Sequence, residues 1–342
     1  MLKLHIHKRL SSVRKQWEKL EQNSSADMSA YQSYYVNAVV KKRLFVYGFK
    51  EGYSARYLEL REDGKPLMIL PICKYRGSEH YCSLGNFNGF QAYDFVYTQE
   101  MTVEKMSQCL QLILQSLQPS QLSFYNVPEY SLLYQSLAGT EKLGFGYTVT
   151  CQENDNVCID TENDYDLWYG KLSKSTRQNI RTAYNRMKTD DIQLRFESYR
   201  GVKLKRSFLN PLIELYCKRH EARYEVETSF WKKLYLKYVD FSTACLRSYR
   251  DNFCTAVYMN EKPAAFMSGM VEKNGTSVVI PRLSIDDEFS RYSPGVVLIN
   301  ETVRQLTSDT GVRILDLSKG AEGYKLSMGG KLYHTHNIVI ER

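Results

Sequence analysis

A mixed α/β chain of two domains is the fold class this sequence predicts, and three observations carry the prediction. Strand-like runs rich in β-branched and aromatic residues alternate with helical patterns along the whole length. The 342 residues exceed what one ordinary core requires, since domains hold roughly 150 residues each. A short pattern also occurs twice: "REDGKPLMILPI" (Arg61 to Ile72) and "YMNEKPAAFMSG" (Tyr258 to Gly269) both read strand, acidic-plus-Lys-Pro turn, apolar strand. Each copy is followed by two further strand signals and a helix, the order expected of an internal duplication.

The elements follow in chain order. A helix around Ser12 to Gln22 and a second from Tyr31 to Leu44 precede a hairpin turning at Asp63-Gly64, the dipeptide suited to a tight turn. Strands at "YCSLG" and "YDFVY", a helix from Val103 to Leu117, a strand at "QLSFYNV" and a short helix from Tyr130 to Leu137 complete the first half. The polar, acidic stretch "CQENDNVCIDTEND" (Cys151 to Asp164) marks the boundary, giving domains 1–155 and 156–342. The second half opens with a helix from Tyr165 to Lys188 and a strand "IQLRFESY". Two helices, "FLNPLIELYCKRHEARY" and "SFWKKLYLKYV", lead to strands from "CLRSYR" to "IPRL". A helix beginning at Ser293-Pro294-Gly295, the strand "VRILDL", a turn through "SKGAEGYKLSMGG" and the strand "LYHTHNIVI" close the chain.

Composition narrows the function classes. With 43% hydrophobic and 25% charged residues the chain reads as a soluble globular protein. No apolar leader stands at the N-terminus and no long uncharged apolar run occurs, so a cytoplasmic location is expected, with peripheral membrane contact left open. A net charge of +8 suits anionic partners: phosphorylated metabolites, CoA-type cofactors, RNA or acidic lipid surfaces. The eight cysteines are scattered without a CxxC pair and are expected to be reduced.

The Ser-Pro-Gly turn carries the strongest chemical signal. Ser293 suits an N-cap, Pro294 is preset for the first helical position, and Gly295 lets another group approach the backbone. Free N–H groups at Gly295, Val296 and Val297 would then favour a phosphate, the alternative being a capped helix without ligand. Asp316, ending a strand, can orient an amine or take its proton, or else bond the loop N–H groups around Lys319 and Gly320. His220 and Arg223, three apart on a helix, share a face that could line an acceptor cleft or lie on the surface. His334 and His336 alternate to one side of the last strand, but no third ligand is evident and no metal is expected. Lys174, Arg177, Arg181 and Lys188 form a basic stripe opposite Leu172, Thr176, Ala183 and Met187, a solvated face or a surface for an anionic partner.

A strand running into a phosphate-friendly helix, then one more strand and a Tyr-Lys pair, resembles the acyl-CoA half of GCN5-related N-acetyltransferases. More specifically, "LWYGKLSKSTRQNIRTAYNRM", "KRHEARYE", "DDEFSRYSPGVVLI" and "ILDLSKGAEGYK" resemble the CelD-like and BioF2-like acetyltransferases, relatives of the FemABX peptidyltransferases with two such domains in tandem. "GKPLMILPI" and "NGFQAYDFVY" extend the likeness into the first domain, where it places Tyr93 and Asp94 on the acceptor side. The likeness implies that the strands flanking the Pro294 helix splay and that acetyl-CoA or another acyl-CoA is co-substrate. It implies that Tyr324 protonates the departing thiolate, and that Lys325 meets phosphate or developing negative charge. Backbone N–H groups from Val278 to Pro281 would steady the oxyanion, and the acceptor would enter at the domain interface. The family's phosphate loop carries glycines at two positions where Pro294 and Val296 follow Arg291 here, so the loop is shifted or narrowed.

The function implied is acyl transfer from acyl-CoA to an amine or hydroxyl acceptor, a small molecule or saccharide such as an amino sugar or a polysaccharide or envelope precursor. Two other readings remain: a FemABX-like peptidyltransferase using aminoacyl-tRNA, the one case in which nucleic acid is a partner, and a non-catalytic acyl-CoA-binding or ligand-binding module.

Overall fold

The hairpin that repeats in the sequence repeats in three dimensions. In the computed structural model, which describes residues 1–24, 28–41, 52–84, 94–224, 251–309 and 311–342, β2 (Tyr53–Glu62) and β3 (Lys65–Tyr75) pair antiparallel around Asp63-Gly64. Both turn residues take positive φ, 49° and 80°, as a two-residue hairpin of this hand requires. β10 (Asn252–Met259) and β11 (Lys262–Val271) pair the same way around Asn260-Glu261. Each hairpin slips register at the same place, between Leu60 and Arg61 in the first and between Val257 and Tyr258 in the second.

The chain divides into two units, Met1–Asp155 with His334–Arg342, and Asn156–Tyr333. In the first, the order is β1 (Leu2–His7), β2, β3, β4 (His80–Ser83), β6 (Gln121–Pro128) and β14 (Gly330–Glu341), with the short β5 (Val96–Tyr97) against β3. In the second the order is β9 (Leu194–Arg200), β10, β11, β12 (Ser277–Ile285), β13 (Ile314–Lys319) and β8 (Tyr147–Asp160), while the short β7 (Lys142–Leu143) pairs with β8. The two orders correspond strand for strand. Only β4 with β6, and β12 with β13, run parallel; the other pairs of these two orders run antiparallel. The first unit closes with the last strand of the chain, and the second with the strand that leaves the first.

The acidic stretch at Cys151, expected to mark the boundary, is part of the 14-residue β8, along which the two units divide between Asp155 and Asn156. Val157 and Ile159 are buried in the core, and so are the polar Asn154 and Asn156. One expectation is corrected. The last nine residues pair with β6 and so belong to the first unit rather than the second.

In the first unit the Val103–Leu117 helix buries Met106, Cys109, Leu110, Ile113 and Leu114, the stripe of an amphipathic helix, and Thr102 caps it by accepting from the Lys105 N–H. A 3-10 turn at Leu10–Val13 leads into the Arg14–Asn23 helix, whose Trp17 is fully buried and donates Nε1 to the Gln32 carbonyl at 2.9 Å.

In the second unit the sheet is covered on both faces. Val278, Ile280, Leu315 and Leu317 point to one face, against Val297, Leu298, Ile180 and Met187 of helices Pro294–Asp309 and Lys174–Thr189. Cys254, Ala256, Tyr258 and Phe266 point to the other, against Phe208, Leu212 and Ile213 of the Arg206–Tyr224 helix. The single helix expected from Tyr165 to Lys188 is two, Tyr165–Lys171 and Lys174–Thr189. Ser173 breaks it by accepting from the Thr176 N–H at 3.1 Å, starting a new helix, while Arg177 reaches back to the carbonyls of Gly170 and Leu172 at 2.6 and 2.7 Å. The helix expected at "SFWKKLYLKYV" and the strand at "CLRSYR" lie outside the described residues. Among the described residues no helix is long and apolar enough to cross a membrane, and the seven described cysteines are free thiols.

Between β11 and β12 the register slips, Ser268 facing Arg282 while Met270 faces Val279. Ile280 and Pro281 thus stand opposite Gly269 alone, a bulge. A Cβ on Gly269 would lie 1.8 Å from the Val279 carbonyl oxygen, so no other residue fits. Gly269→Ala is therefore expected to cost about 3 kcal/mol in urea unfolding. Gly170→Ala, where a Cβ meets nothing within 4 Å, should leave stability unchanged or slightly raised.

Candidate functional site

Two parallel strands part at the centre of the second unit. β12 and β13 are paired at Ser277 with Ile314, Val278 with Leu315 and Val279 with Asp316, and no further. The bulge turns β12 aside one residue later, and Pro281 removes a donor from its ladder. On β13 the Asp316 carboxylate accepts the Ser318 N–H at 2.7 Å, and Ser318 sits at φ 57°. This local side-chain turn bends the second strand away. Asp316 thus occupies the last paired position, at the mouth of the gap.

Its second oxygen accepts the Tyr333 hydroxyl at 2.5 Å. Burial pushes the Asp316 carboxyl up to about 6, against the lowering by Tyr333 and the Ser318 N–H. Cys158, opposite Asp316 on β8, is pushed up to about 11 by burial and by the charge of Asp316. The alternative foreseen for Asp316, bonding loop N–H groups, holds only at Ser318, which leaves the other oxygen to Tyr333.

Tyr324 lies on the short Gly323–Ser327 helix after β13, half-buried against the core. Burial, then Glu322, pushes its phenol up to about 12, while Arg219 acts in the opposite sense. It therefore carries its proton throughout the neutral range. Lys325, expected to meet phosphate, instead turns inward: it is 4% exposed, and its ammonium donates to the carbonyls of Leu317, Lys319 and Gly320 at 3.1, 2.9 and 3.1 Å. Glu322 balances its charge at 2.9 Å. With all three protons taken, Lys325 locks the loop that carries Tyr324.

The Pro294 helix starts differently from the expectation. Ser293 adopts φ 50°, the left-handed region, rather than an extended N-cap conformation. Its carbonyl accepts from both Val296 and Val297, at 3.0 and 3.1 Å. Of the three N–H groups expected to be free, only that of Gly295 keeps no partner among the described residues. Arg291 is also engaged: its Nε meets Asp190 at 2.8 Å, its carbonyl accepts from Arg186 at 3.0 Å, and Tyr292 donates to the same Asp190 oxygen at 2.9 Å. Pro294 is buried and shapes the turn. Pro281, without an N–H, cannot serve as an oxyanion donor.

Asp94, in the first unit, is 8% exposed and closed on its own loop, accepting from the Phe95 N–H at 2.7 Å and the Tyr97 hydroxyl at 3.2 Å. Burial pushes it up to about 7. Tyr93 lies outside the described residues, as do the side chains of His220 and Arg223 on the Arg206–Tyr224 helix. Earlier on that helix, Lys218 pairs with Asp286 at 2.9 Å, at the end of β12.

Sequence reasoning missed three parts of the site. Tyr333 carried no signal among 27 tyrosines. Gly269 and Pro281 did, since a glycine and a proline inside facing strands mark a bulge. The third is a buried relay: Asn300, fully buried, accepts from Tyr165 at 3.0 Å and donates to Tyr184 at 2.9 Å, while Arg304 donates to Tyr165 at 3.0 Å. It ties the helices beneath the Ser293 turn together.

Comparison with known proteins places this geometry. Residues 174–326 match the family described as acetyltransferase (GNAT) domain. The structure of FemX covers 98% of this chain and 96% of its own at a TM-score of 0.61 and 10% identity. The C-terminal domain of a protein named as a putative lysylphosphatidylglycerol synthetase from Agrobacterium fabrum covers 98% and 93% at 0.58 and 12%. A tandem GNAT protein from the clavulanic acid biosynthesis pathway covers 99% and 98% at 0.51 and 9%. No curated protein matches the sequence. At these identities the likeness is one of fold, and the fold is a mixed α/β one of tandem GNAT type.

Lys325→Met keeps the bulk but leaves buried carbonyls without donors, and is expected to cost about 3 kcal/mol in denaturant unfolding. Lys319→Met, at an exposed position, should change stability by less than about 0.5 kcal/mol.

Proposed function

We propose that this chain transfers an acyl group from acyl-CoA to an amine or hydroxyl of a small or saccharide acceptor. The observation that carries the reading is the position of Asp316: a carboxylate of near-neutral pKa at the point where β12 and β13 part, followed within the same loop by the protonated Tyr324. The gap between the strands suits an extended thioester, and the free Gly295 N–H at the start of the following helix suits its phosphate.

In this reading Asp316, directly or through water, takes the proton of the acceptor as its nitrogen or oxygen bonds to the thioester carbon. The C–S bond then breaks and Tyr324 passes its hydroxyl proton to the departing sulfur, giving the acylated acceptor and free CoA. Tyr333 positions the Asp316 carboxylate and Lys325 positions Tyr324. An amino sugar, as in polysaccharide or envelope precursors, is the acceptor favoured by the CelD-like resemblance. The aminoacyl-tRNA reading loses one of its four supporting cations, because Arg177 is bound to carbonyls of its own chain.

Two measurements of CoA release, against a panel of amines, amino sugars and alcohols, test this. Tyr324→Phe should lower kcat about 10²- to 10⁴-fold while acyl-CoA affinity is nearly unchanged, because only a proton donor is lost. Unaltered turnover would make Tyr324 a packing residue, and binding without turnover in the parent protein would favour the non-catalytic module. The second is the pH profile. Asp316 must be ionised to accept a proton, so kcat/KM should rise through pH of about 6 and level off above it. Asp316→Asn should remove the limb and the plateau together.

A further inference from the structure

Three side chains of metal-ligating type, none of them assigned to acyl transfer, meet in the first unit. β8 carries Glu153 and Asp155, two apart and so on one face, and β14 carries His334. His334 Nδ1 lies 3.4 Å from a Glu153 oxygen and 3.3 Å from an Asp155 oxygen, and all three ligand atoms fall within 4.8 Å of one another. Metal bonds of about 2.0 to 2.2 Å in a tetrahedral arrangement set ligand atoms roughly 3.3 to 3.6 Å apart, so both contacts of His334 have the spacing of ligands on one ion. Hydrogen bonding does not account for it: Nδ1 is buried and makes no hydrogen bond, although two carboxylates stand beside it.

A second, independent group points the same way. His336 extends from the same face of β14 as His334, is 4% exposed, and its Nε2 is buried without a hydrogen-bond partner. Its ring is fixed by stacking on Tyr134, with centroids 3.9 Å apart and planes at 15°. The charged groups that act on it are Glu153, Glu129 and His334. An unsatisfied buried imidazole nitrogen within electrostatic reach of a His-carboxylate cluster is a group that an ion there, or water bound to it, can satisfy.

We propose that Glu153, Asp155 and His334, with the buried His336 imidazole in their neighbourhood, bind a divalent transition-metal ion of the Zn²⁺ type. Imidazole with carboxylates selects such ions over Mg²⁺ and Ca²⁺, which favour all-oxygen sets. Glu153 and Asp155 are exposed, which gives the ion access. The ion joins β8 to β14 within the first unit and stabilises it by mass action.

The full chain, stripped of metal, is titrated with Zn²⁺ by calorimetry and with Co²⁺ by visible absorption. The expected result is one equivalent bound, a raised Tm, and a Co²⁺ spectrum with ligand-field bands but no thiolate charge-transfer band, since the chain's cysteines take no part. His334→Ala and the double variant Glu153→Gln with Asp155→Asn should abolish that equivalent, and His336→Gln should weaken it at least about tenfold. The carboxylate variants are exposed and should fold normally, as their unchanged circular dichroism will verify. No saturable binding of either ion, a thiolate band, or binding equally tight in the His334 and carboxylate variants would overturn the proposal.

Discussion

The slip of register between β11 and β12 is the constraint on which the parting of β12 from β13 depends. It exists because Gly269 has no Cβ where one would meet the Val279 carbonyl at 1.8 Å, and because two residues, Ile280 and Pro281, face that single glycine. A regular ladder would have kept β12 alongside β13 for the rest of its length and closed the gap. Instead the pairing ends at Val279 and Asp316. The end of β12 comes close to the helix start, a Cβ on Gly295 lying 3.4 Å from the Ile285 side chain.

On the opposite strand, two polar side chains hold the departure in place. Asp316 bends β13 by taking the Ser318 N–H, and Lys325 gathers the carbonyls of Leu317, Lys319 and Gly320 from the loop beyond. A buried ammonium is costly unless its protons are used, and here all are. The energy that binds the loop is therefore the energy that places Tyr324, and a residue expected to meet a ligand instead supports the loop of the proposed proton donor. The first unit repeats the strand order of the second. There Asp94 is closed on its own loop by Phe95 and Tyr97, in contrast to Asp316 at the opening of a gap.

Much of the fold was legible because its elements are locally specified. Asp63-Gly64 demanded a hairpin, and the helix expected from Val103 to Leu117 forms with those bounds, its start set by the Thr102 cap. Failures arose where local signal and tertiary context disagree. "CQENDNVCID" was read as a polar boundary with no strand, yet it forms most of β8, along which the units divide. The Tyr165 helix keeps its period across a break that only the Ser173 cap reveals. Site residues were harder still. Asp316 was singled out by its place near a strand's end and Tyr324 by resemblance, but their partners, Tyr333 and the three carbonyls on Lys325, are contacts that no spacing encodes. His334 and His336 were visible as an alternating pair; Glu153 and Asp155 join them only through the pairing of distant strands.

The central claim is that the gap between β12 and β13, with the start of the Pro294 helix, receives the acyl donor. Hydrogen–deuterium exchange of the full chain with and without saturating acetyl-CoA tests it most directly, because amides report at the level of single segments. The account predicts slowed exchange in two segments, residues 280–285 after the bulge and residues 295–299 at the helix start, with the first unit unchanged. Protection confined to the first unit, or none in either segment while acetyl-CoA is demonstrably bound, would contradict it.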